Sequence, residues 1–538
     1  MSSDLYAQVA RNASQTALAI APPISKLVAA STIGGRKLYL PEHQIPNTNP
    51  NGINTQTWYF QASGNFNTAL ANGGIQQIKI DRGTGSGKTS GKVWIRLNIT
   101  NSSGAATQFV PAPFLFSNIQ FQTPSGDTIQ NFDPWGLWLS IVGCASMDEW
   151  ESLSDLVNAS NSYESNIAIP NGATVDYWVP LQGNVWSCGD IPTRCLMGDS
   201  QCYLTFAQPA ATVLSGTATG VNLNSLALVF EMQQLDNSLI GALDLEYKRQ
   251  YHDSYYPFMR VMNWTQTWNA SSQYTLLLSG ITGGVVFLGF TLRASTNGQD
   301  LYHGFPITDF QLQNAQGVAI SGAQFIPETY NRWGQYPRWF LGTASQERRI
   351  YTWNFSSKDS APVEFLMTGR VNGQYGFSGN EQLVIDTAPA ATTEIQTIAF
   401  NAALASGSLY FVWITPFGSS ASVSVAFNAS AATLQTTIQN IIGFEGTVTV
   451  QQAFSVTGSA TITFGGNYSA RPLYSAGYQL LAYSTTGGSA VTSASTPGVR
   501  GITNGGTYTL TLVAFTVAIA RISDDSSGGS GRMSIQNS

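Results

Sequence analysis

Histidine and cysteine are scarce in this chain, and charge is thin. The three histidines, His43, His252 and His303, are scattered and include no His-x-His pair, which argues against a metal-binding cupin. Four cysteines, Cys144, Cys188, Cys195 and Cys202, are too few and too clustered to staple 538 residues. No Cys-x-x-Cys pair offers a zinc knuckle, so they read as buried or half-buried free thiols. Lysine and arginine form no run, and a net charge of −6 is small for this length; both argue against direct nucleic-acid binding. No apolar stretch approaches the ~20 residues of a membrane span. No charged n-region precedes an apolar h-region, so no signal peptide is evident. The Asn-x-Ser/Thr triplets, such as those at Asn98 and Asn428, then reflect composition and not glycosylation.

What remains is aromatic residues (12%), 52 glycines and a large neutral polar fraction. That mixture suits antiparallel sheets joined by many turns, with neutral polar groups on the outer faces. A disordered chain would be aromatic-poor and charge-rich. Length alone leads one to expect roughly three or four domains.

The motifs that suggest chemistry do not survive inspection. Gly83-Thr84-Gly85-Ser86-Gly87-Lys88-Thr89 imitates a phosphate-binding loop, yet the first glycine of that pattern would fall at Arg82. Such a loop also needs a helix N-terminus after the lysine, whereas Gly91-Lys92-Val93-Trp94-Ile95-Arg96 reads as a strand. Asp148, Glu149, Glu151 and Asp155 can be drafted as a glycosidase pair, but their spacing fits the solvated face of a helix. No Gly-x-Ser-x-Gly elbow marks a nucleophile. No catalytic, cofactor or metal residue is assigned, and the chain reads as a non-enzyme.

The informative feature is a repetition. Phe116-Ser117-Asn118-Ile119-Gln120-Phe121-Gln122, turning through Gly126 to Ile129, is answered by Ile307-Thr308-Asp309-Phe310-Gln311-Leu312-Gln313, turning through Gly317 to Ile320. Each hairpin leads to a Trp-Gly corner: Phe132-Asp133-Pro134-Trp135-Gly136 and Tyr330-Asn331-Arg332-Trp333-Gly334. One supersecondary plan is used twice. Trp135 and Trp333 read as corner plugs and not as sugar platforms, because a ring there buries ~150–250 Å². Asp133 is an N-cap candidate with Pro134 at the first helical position, so a helix carrying Trp138, Ile141 and Val142 is expected.

The rest of the chain falls around that pair. Residues 1–37 form an arm in which Leu5, Val9, Ala13 and Ala17 keep helical spacing until Pro22-Pro23. It docks on a subunit or faces a membrane or capsid interior. Strands are expected at 55–61, 75–80, 93–100, 114–122, 166–169, 174–179, 201–206 and 226–235. After a charged linker at 246–253, eight more answer them at 261–268, 274–278, 285–292, 307–313, 350–355, 363–368, 382–386 and 508–522. Eight strands close a jelly roll, so the fold class is all-β: two tandem eight-stranded jelly rolls, residues 38–245 and 254–392 plus 498–522. Pro209-Ala210-Ala211-Thr212 is matched by Pro389-Ala390-Ala391-Thr392, after which 393–497 are inserted as a small β-rich (α+β) domain. Its helix carries Leu434, Ile438, Ile441 and Ile442 on one face, and Ser430 lies at its cap. A Ser/Gly-rich tail, 523–538, is expected to be flexible.

The twin hairpins, twin Trp-Gly corners and twin Pro-Ala-Ala-Thr segments resemble the double jelly-roll major capsid proteins of tailless icosahedral viruses. The insert is similar to immunoglobulin-like or tower modules on bacteriophage structural proteins. That resemblance implies a homotrimer of pseudo-hexagonal outline, packed beside neighbouring capsomers, penton and minor capsid proteins in a virion assembled in the host cytoplasm. It also implies an outward tower able to touch a host surface and an arm near an internal membrane. Pro337 departs from the pattern by interrupting what would be the second copy of the Trp135 helix. The alternative is a receptor- or carbohydrate-binding spike or lectin-like β-protein.

Overall fold

The computed structural model describes residues 32–33, 36–37, 54–61, 74–80, 87–123, 126–144, 168–181, 200–207, 212–234, 252–294, 304–321, 324–327, 350–355, 371–415, 418–441, 446–466, 477–486, 488–499, 501–524 and 531–537, with isolated positions between them. After the short strands Thr32–Ile33 and Arg36–Lys37, the first roll runs through β1 (Asn54–Gln61), β2 (Ile75–Ile80), β3 (Gly87–Asn101), β4 (Phe116–Gln122) and β5 (Thr128–Phe132). Helix α1 (Pro134–Cys144) follows, then β6 (Thr174–Pro180), β7 (Ser200–Phe206) and β8 (Val221–Gln234). They pair as two four-stranded sheets, β6-β3-β8-β1 and β2-β7-β4-β5, the interleaved order of a jelly roll. Val93, Ile95, Leu97 and Ile99 of β3 face the core. The residues between them carry the outer polar network, in which Arg96 and Asn98 both donate to Asp176, at 3.0 and 2.8 Å.

The second roll repeats the order. Its strands are β9 (His252–Trp268), β10 (Gln273–Leu277), β11 (Thr282–Ala294), β12 (Ile307–Gln313), β13 (Ile326–Pro327), β14 (Tyr351–Asn354) and β15 (Gln382–Thr387). The inserted segment contributes β16 (Ile395–Ala399), β17 (Ser408–Thr415), β18 (Val423–Ala426), helix α2 (Ala431–Gln439), β19 (Gly446–Val450), β20 (Ser459–Gly466), β21 (Gln479–Ser484), β22 (Gly488–Ser489) and β23 (Val491–Thr496). The chain then returns to the roll with β24 (Gly506–Asp524) and ends with β25 (Gly531–Asn537). One sheet of the roll runs β9-β24-β11-β14 with two flanking strands, and the other runs β10-β15-β12-β13. The molecule is all-β, two tandem jelly rolls with an α+β unit between the last two strands of the second. Ser430 caps α2 by accepting from the N–H of Thr433, and Leu434, Ile438 and Ile441 are buried in the insert's own core.

Several expectations are corrected. Among the described residues each roll has two four-stranded paths, with further strands beside them. The first carries a separate three-stranded sheet of Thr107–Phe109, Ala168–Ile169 and Val213–Ser215; the second carries Tyr375–Ser378 and β25 beyond its four-stranded path. The strand expected at 166–169 belongs to that separate sheet, and its place in the roll is taken by β5. At 363–368, Phe365 and Leu366 form a helical turn, both buried in the core shared with the first roll; two adjacent apolar residues plug a junction where a half-exposed strand would bury one. Strand β9 begins nine residues before the expected 261, running through Pro257. Among the described residues it pairs only with β24, and as an edge strand it loses no ladder bond to the proline. The tail expected to be flexible from 523 instead folds back, with Arg532 to Asn537 pairing with Ser523 to Ala518. Its Ser/Gly run falls between the two strands in sequence, and residues 525–530 lie outside the described residues.

Candidate functional site: the junction between the rolls

Among the described residues no strand pairs with the second edge of β9, and the first roll serves that edge with a side chain. Gln130 of β5 is fully buried. Its Nε2 donates to the carbonyl of Pro257 at 2.9 Å, and its Oε1 accepts from the N–H of Met259 at 3.4 Å. The C=O of one residue and the N–H two residues on point to the same edge of a strand. The carboxamide therefore satisfies β9 as a neighbouring strand would. Nε2 also donates to the carbonyl of Gly183 at 2.8 Å, and the hydroxyl of Tyr256 donates to the carbonyl of Ile129 at 2.6 Å.

Beside this seam lies the Trp-Gly corner. Asp133 Oδ1 accepts from the Trp135 N–H at 2.9 Å, fixing the start of α1 as a capping residue does. Trp135 is buried and meets Phe114 edge to face at 5.1 Å, so no open ring face is left for a sugar. Gly136 allows Met259 of the second roll to lie against the α1 backbone, and Gly289 of β11 does the same for Leu139 of α1. Burial pushes the Asp133 carboxyl up, against the N–H groups of Trp135 and Gly136 and the Arg293 guanidinium of the second roll. Burial likewise pulls Arg293 down while the Asp133 charge pushes it back up.

These contacts belong to one continuous core. Val286, Phe287, Val513, Phe515 and Val517 of the second roll join the first roll's core, whereas Leu288, Phe290, Leu510 and Leu512 face the second roll's own. Phe287 and Phe515 stack at 4.4 Å. Strands β11 and β24 are thus buried on both faces. The sequence placed strands at 285–292 and 508–522 without assigning their faces; the signal for a double-sided burial was the nearly unbroken apolar run from Leu510 to Ala520.

The insert is rooted through Glu394, also buried. Its carboxylate accepts from the N–H of Tyr474 at 2.9 and 3.1 Å, from Gln396 Nε2 at 2.7 Å and from the N–H of Gly498 at 3.3 Å. Incoming and outgoing chains are therefore tied to one side chain. Below it, Pro389-Ala390-Ala391-Thr392 bridges to Ile502 and Val499.

The other residues weighed in the sequence fall elsewhere. Lys88 of the glycine-rich segment lies within β3, opposite Gln233, and no helix follows it. Trp333, Pro337, the acids Asp148 to Asp155, His43, His303, Cys188, Cys195 and the helix of the N-terminal arm lie outside the described residues. Of the arm, Thr32–Ile33 pairs with Arg36–Lys37 as a short hairpin. His252 opens β9, and Cys144 ends α1. Cys202 is a buried free thiol whose burial pushes its pKa well up. Among the described residues no group of three or more His, Cys, Asp or Glu converges as a metal site would. No described helix is long and apolar enough to cross a membrane.

No protein-family model matches the sequence, and no curated protein matches it. Solved structures do. The chain is similar to PBCV-1 VP54 as fitted into a reconstruction of the virophage Sputnik, with TM-score 0.52, 12% identity, 92% of this chain and 100% of that chain covered. It is also similar to a chain of the PBCV-1 virus capsid, with TM-score 0.50, 11% identity and coverage of 92% and 100%. At these identities the likeness establishes the fold, the double jelly roll of viral major capsid proteins.

Proposed function

We propose that this chain is the major capsid protein of an icosahedral virion and assembles as homotrimeric, pseudo-hexagonal capsomers. The observation that carries the reading is the shared core: two rolls fused through a sheet buried on both faces make one rigid block with two similar lobes. Three such blocks around an axis present six lobes, an outline that tiles a shell. On the first roll's outer wall Arg96 pairs with Asp176 at 3.0 Å, and the described neighbours Asn98, Thr100, Thr174 and Asn224 are neutral. Walls of that kind pack side by side without desolvating lone charges. Neighbouring capsomers, penton and minor capsid proteins are the partners this role requires, and the virion is where the chain resides, after assembly in the host cytoplasm. Residues 1–37 face the shell interior in this arrangement, beside an internal membrane where one exists, and the insert 393–497 projects outward to touch a host surface.

Light scattering on the purified full chain tests the proposal. The expected particle has three times the 57.7 kDa chain mass and grows into sheets or shells as conditions favour assembly. A monomer that never associates overturns it.

A further inference from the structure

One face of the insert carries a stacked pair of tyrosines. Strands β17 and β21 alternate, with Leu409, Phe411, Trp413, Leu480 and Ala482 inward, leaving Tyr410, Val412 and Leu481, Tyr483 on the opposite face. Tyr410 pairs with Tyr483 across the two strands, and their rings lie parallel, 4.9 Å apart with 6° between planes. The row continues in register on both sides. Ser424 of β18 stands opposite Tyr410, and Ser489 of β22 stands opposite Tyr483. Across four strands the surface thus reads hydroxyl, ring, ring, hydroxyl. Tyr483 is 38% exposed, both serines are exposed, and neither tyrosine hydroxyl has a hydrogen-bond partner among the described residues. Val412 and Leu481 form the next row.

The chemistry of the surroundings selects the occupant. In residues 393–497 the only charged side chains are Glu394, Glu445 and Arg471, and Glu394 is buried at the root. Among the described residues of this face no side chain is charged, so an acidic or basic partner finds no described group to pair with; the third row, Ile414 opposite Gln479, is half polar, which leaves a narrow strip for an apolar protein partner. A neutral pyranose fits: its C–H face lies on an aromatic ring, while its rim hydroxyls meet Ser424, Ser489 and the tyrosine hydroxyls. From this row we infer that the Tyr410–Tyr483 face of the insert binds an uncharged glycan. The inference rests on the proposed outward, host-facing position of the insert and names the chemistry it meets there.

The test uses the full-length chain and immobilised neutral oligosaccharides of glucose, galactose, mannose and N-acetylglucosamine, with heparin and sialyllactose as acidic controls. Saturable binding to at least one neutral probe is expected, changing less than about 2-fold between roughly 50 and 500 mM salt because no charge is involved. Tyr483→Ala should weaken it at least ~10-fold, and Ser489→Arg, an exposed change that leaves the insert core alone, should do the same. Binding confined to the acidic probes, no saturable binding to any neutral one, or wild-type binding in both variants overturns the inference. So does self-association of the chain through this face, lost in both variants. Light scattering on the same samples separates the two readings. A chain that assembles but binds no glycan sinks this inference alone, and one that binds but never assembles sinks the capsid role alone.

Discussion

Gln130 of the first roll and Pro257 of the second are joined by a 2.9 Å hydrogen bond that lets a side-chain amide stand in for a β-strand. The bond lies at full burial, between two carbonyls and an N–H that have no access to water. Removing the amide leaves those groups unpaired, at roughly 1–3 kcal/mol for each that finds no substitute. Gln130→Ala should therefore lower stability by roughly 2–4 kcal/mol, read as a lower denaturant midpoint. Gln130→Leu, which restores volume but not polarity, should rescue little. Full rescue by leucine would show that the site needs filling and not bonding.

The Trp135 corner makes the complementary case. Its ring is held by Phe114 and the core on which α1 sits, with no hydrogen bond from Nε1 among the described residues. Trp135→Ala should cost about 3–5 kcal/mol through the cavity it leaves, and glycan binding by the correctly folded fraction should be unchanged. A selective binding defect with normal stability would return the tryptophan to the status of a ligand platform.

Why some of this was legible beforehand and some not follows from the residues themselves. The twin hairpins stood out because β4 buries Ile119 and Phe121 and β12 buries Phe310 and Leu312 at the same spacing, and alternation records that directly. The insertion was visible because the sequence Pro209 to Thr212 is repeated at Pro389 to Thr392, with the next strand close behind the first copy and the stretch 393–497 behind the second. Gln130 was silent: in Thr128-Ile129-Gln130-Asn131-Phe132 a glutamine beside an asparagine looks like any solvent-facing position, and its burial arises from a strand over 120 residues away. Phe365 and Leu366 misled for the same reason, since a plug between rolls has no periodicity of its own. The tail was misread because its Ser/Gly run dominates the composition and hides the alternating Arg532-Met533-Ser534-Ile535-Gln536 behind it.

At the root of the insert, Glu394 holds both chain ends through four hydrogen bonds to its carboxylate. Glu394→Gln keeps the shape but turns one acceptor into a donor facing N–H groups. A loss of about 2–3 kcal/mol is expected, because bonds to a charged acceptor are the stronger kind. Gly501 should be equally intolerant: a Cβ there would meet the backbone of Pro389, Ala390 and Ala391, so Gly501→Ala must shift the chain. Both variants should become more susceptible to proteolysis near 390–400 and 498–502 while the first roll stays resistant. Uniform susceptibility along the whole chain would mean the root is not a local element.

Asp309 and Asp386 face each other across β12 and β15, with Pro327 on the other side of Asp309 and Gln273 on the other side of Asp386. Burial first, then the hydrogen bond and charge of Asp386, raise the Asp309 pKa from 3.8 to about 6. The folded chain thus keeps a proton that the unfolded chain releases at lower pH. Stability falls with pH wherever the native state binds more protons than the unfolded one. The Asp309 contribution should be complete below the unfolded value of 3.8 and disappear as pH rises through about 6. Like charges directly opposite on paired strands are destabilising, so the deprotonated pair should loosen this seam at neutral pH. Asp309→Asn removes the charge and should flatten the stability profile between about pH 4 and 6 while raising stability above that range. Thermal unfolding of both proteins across that interval decides it: parallel profiles would show that the pair carries no linked proton.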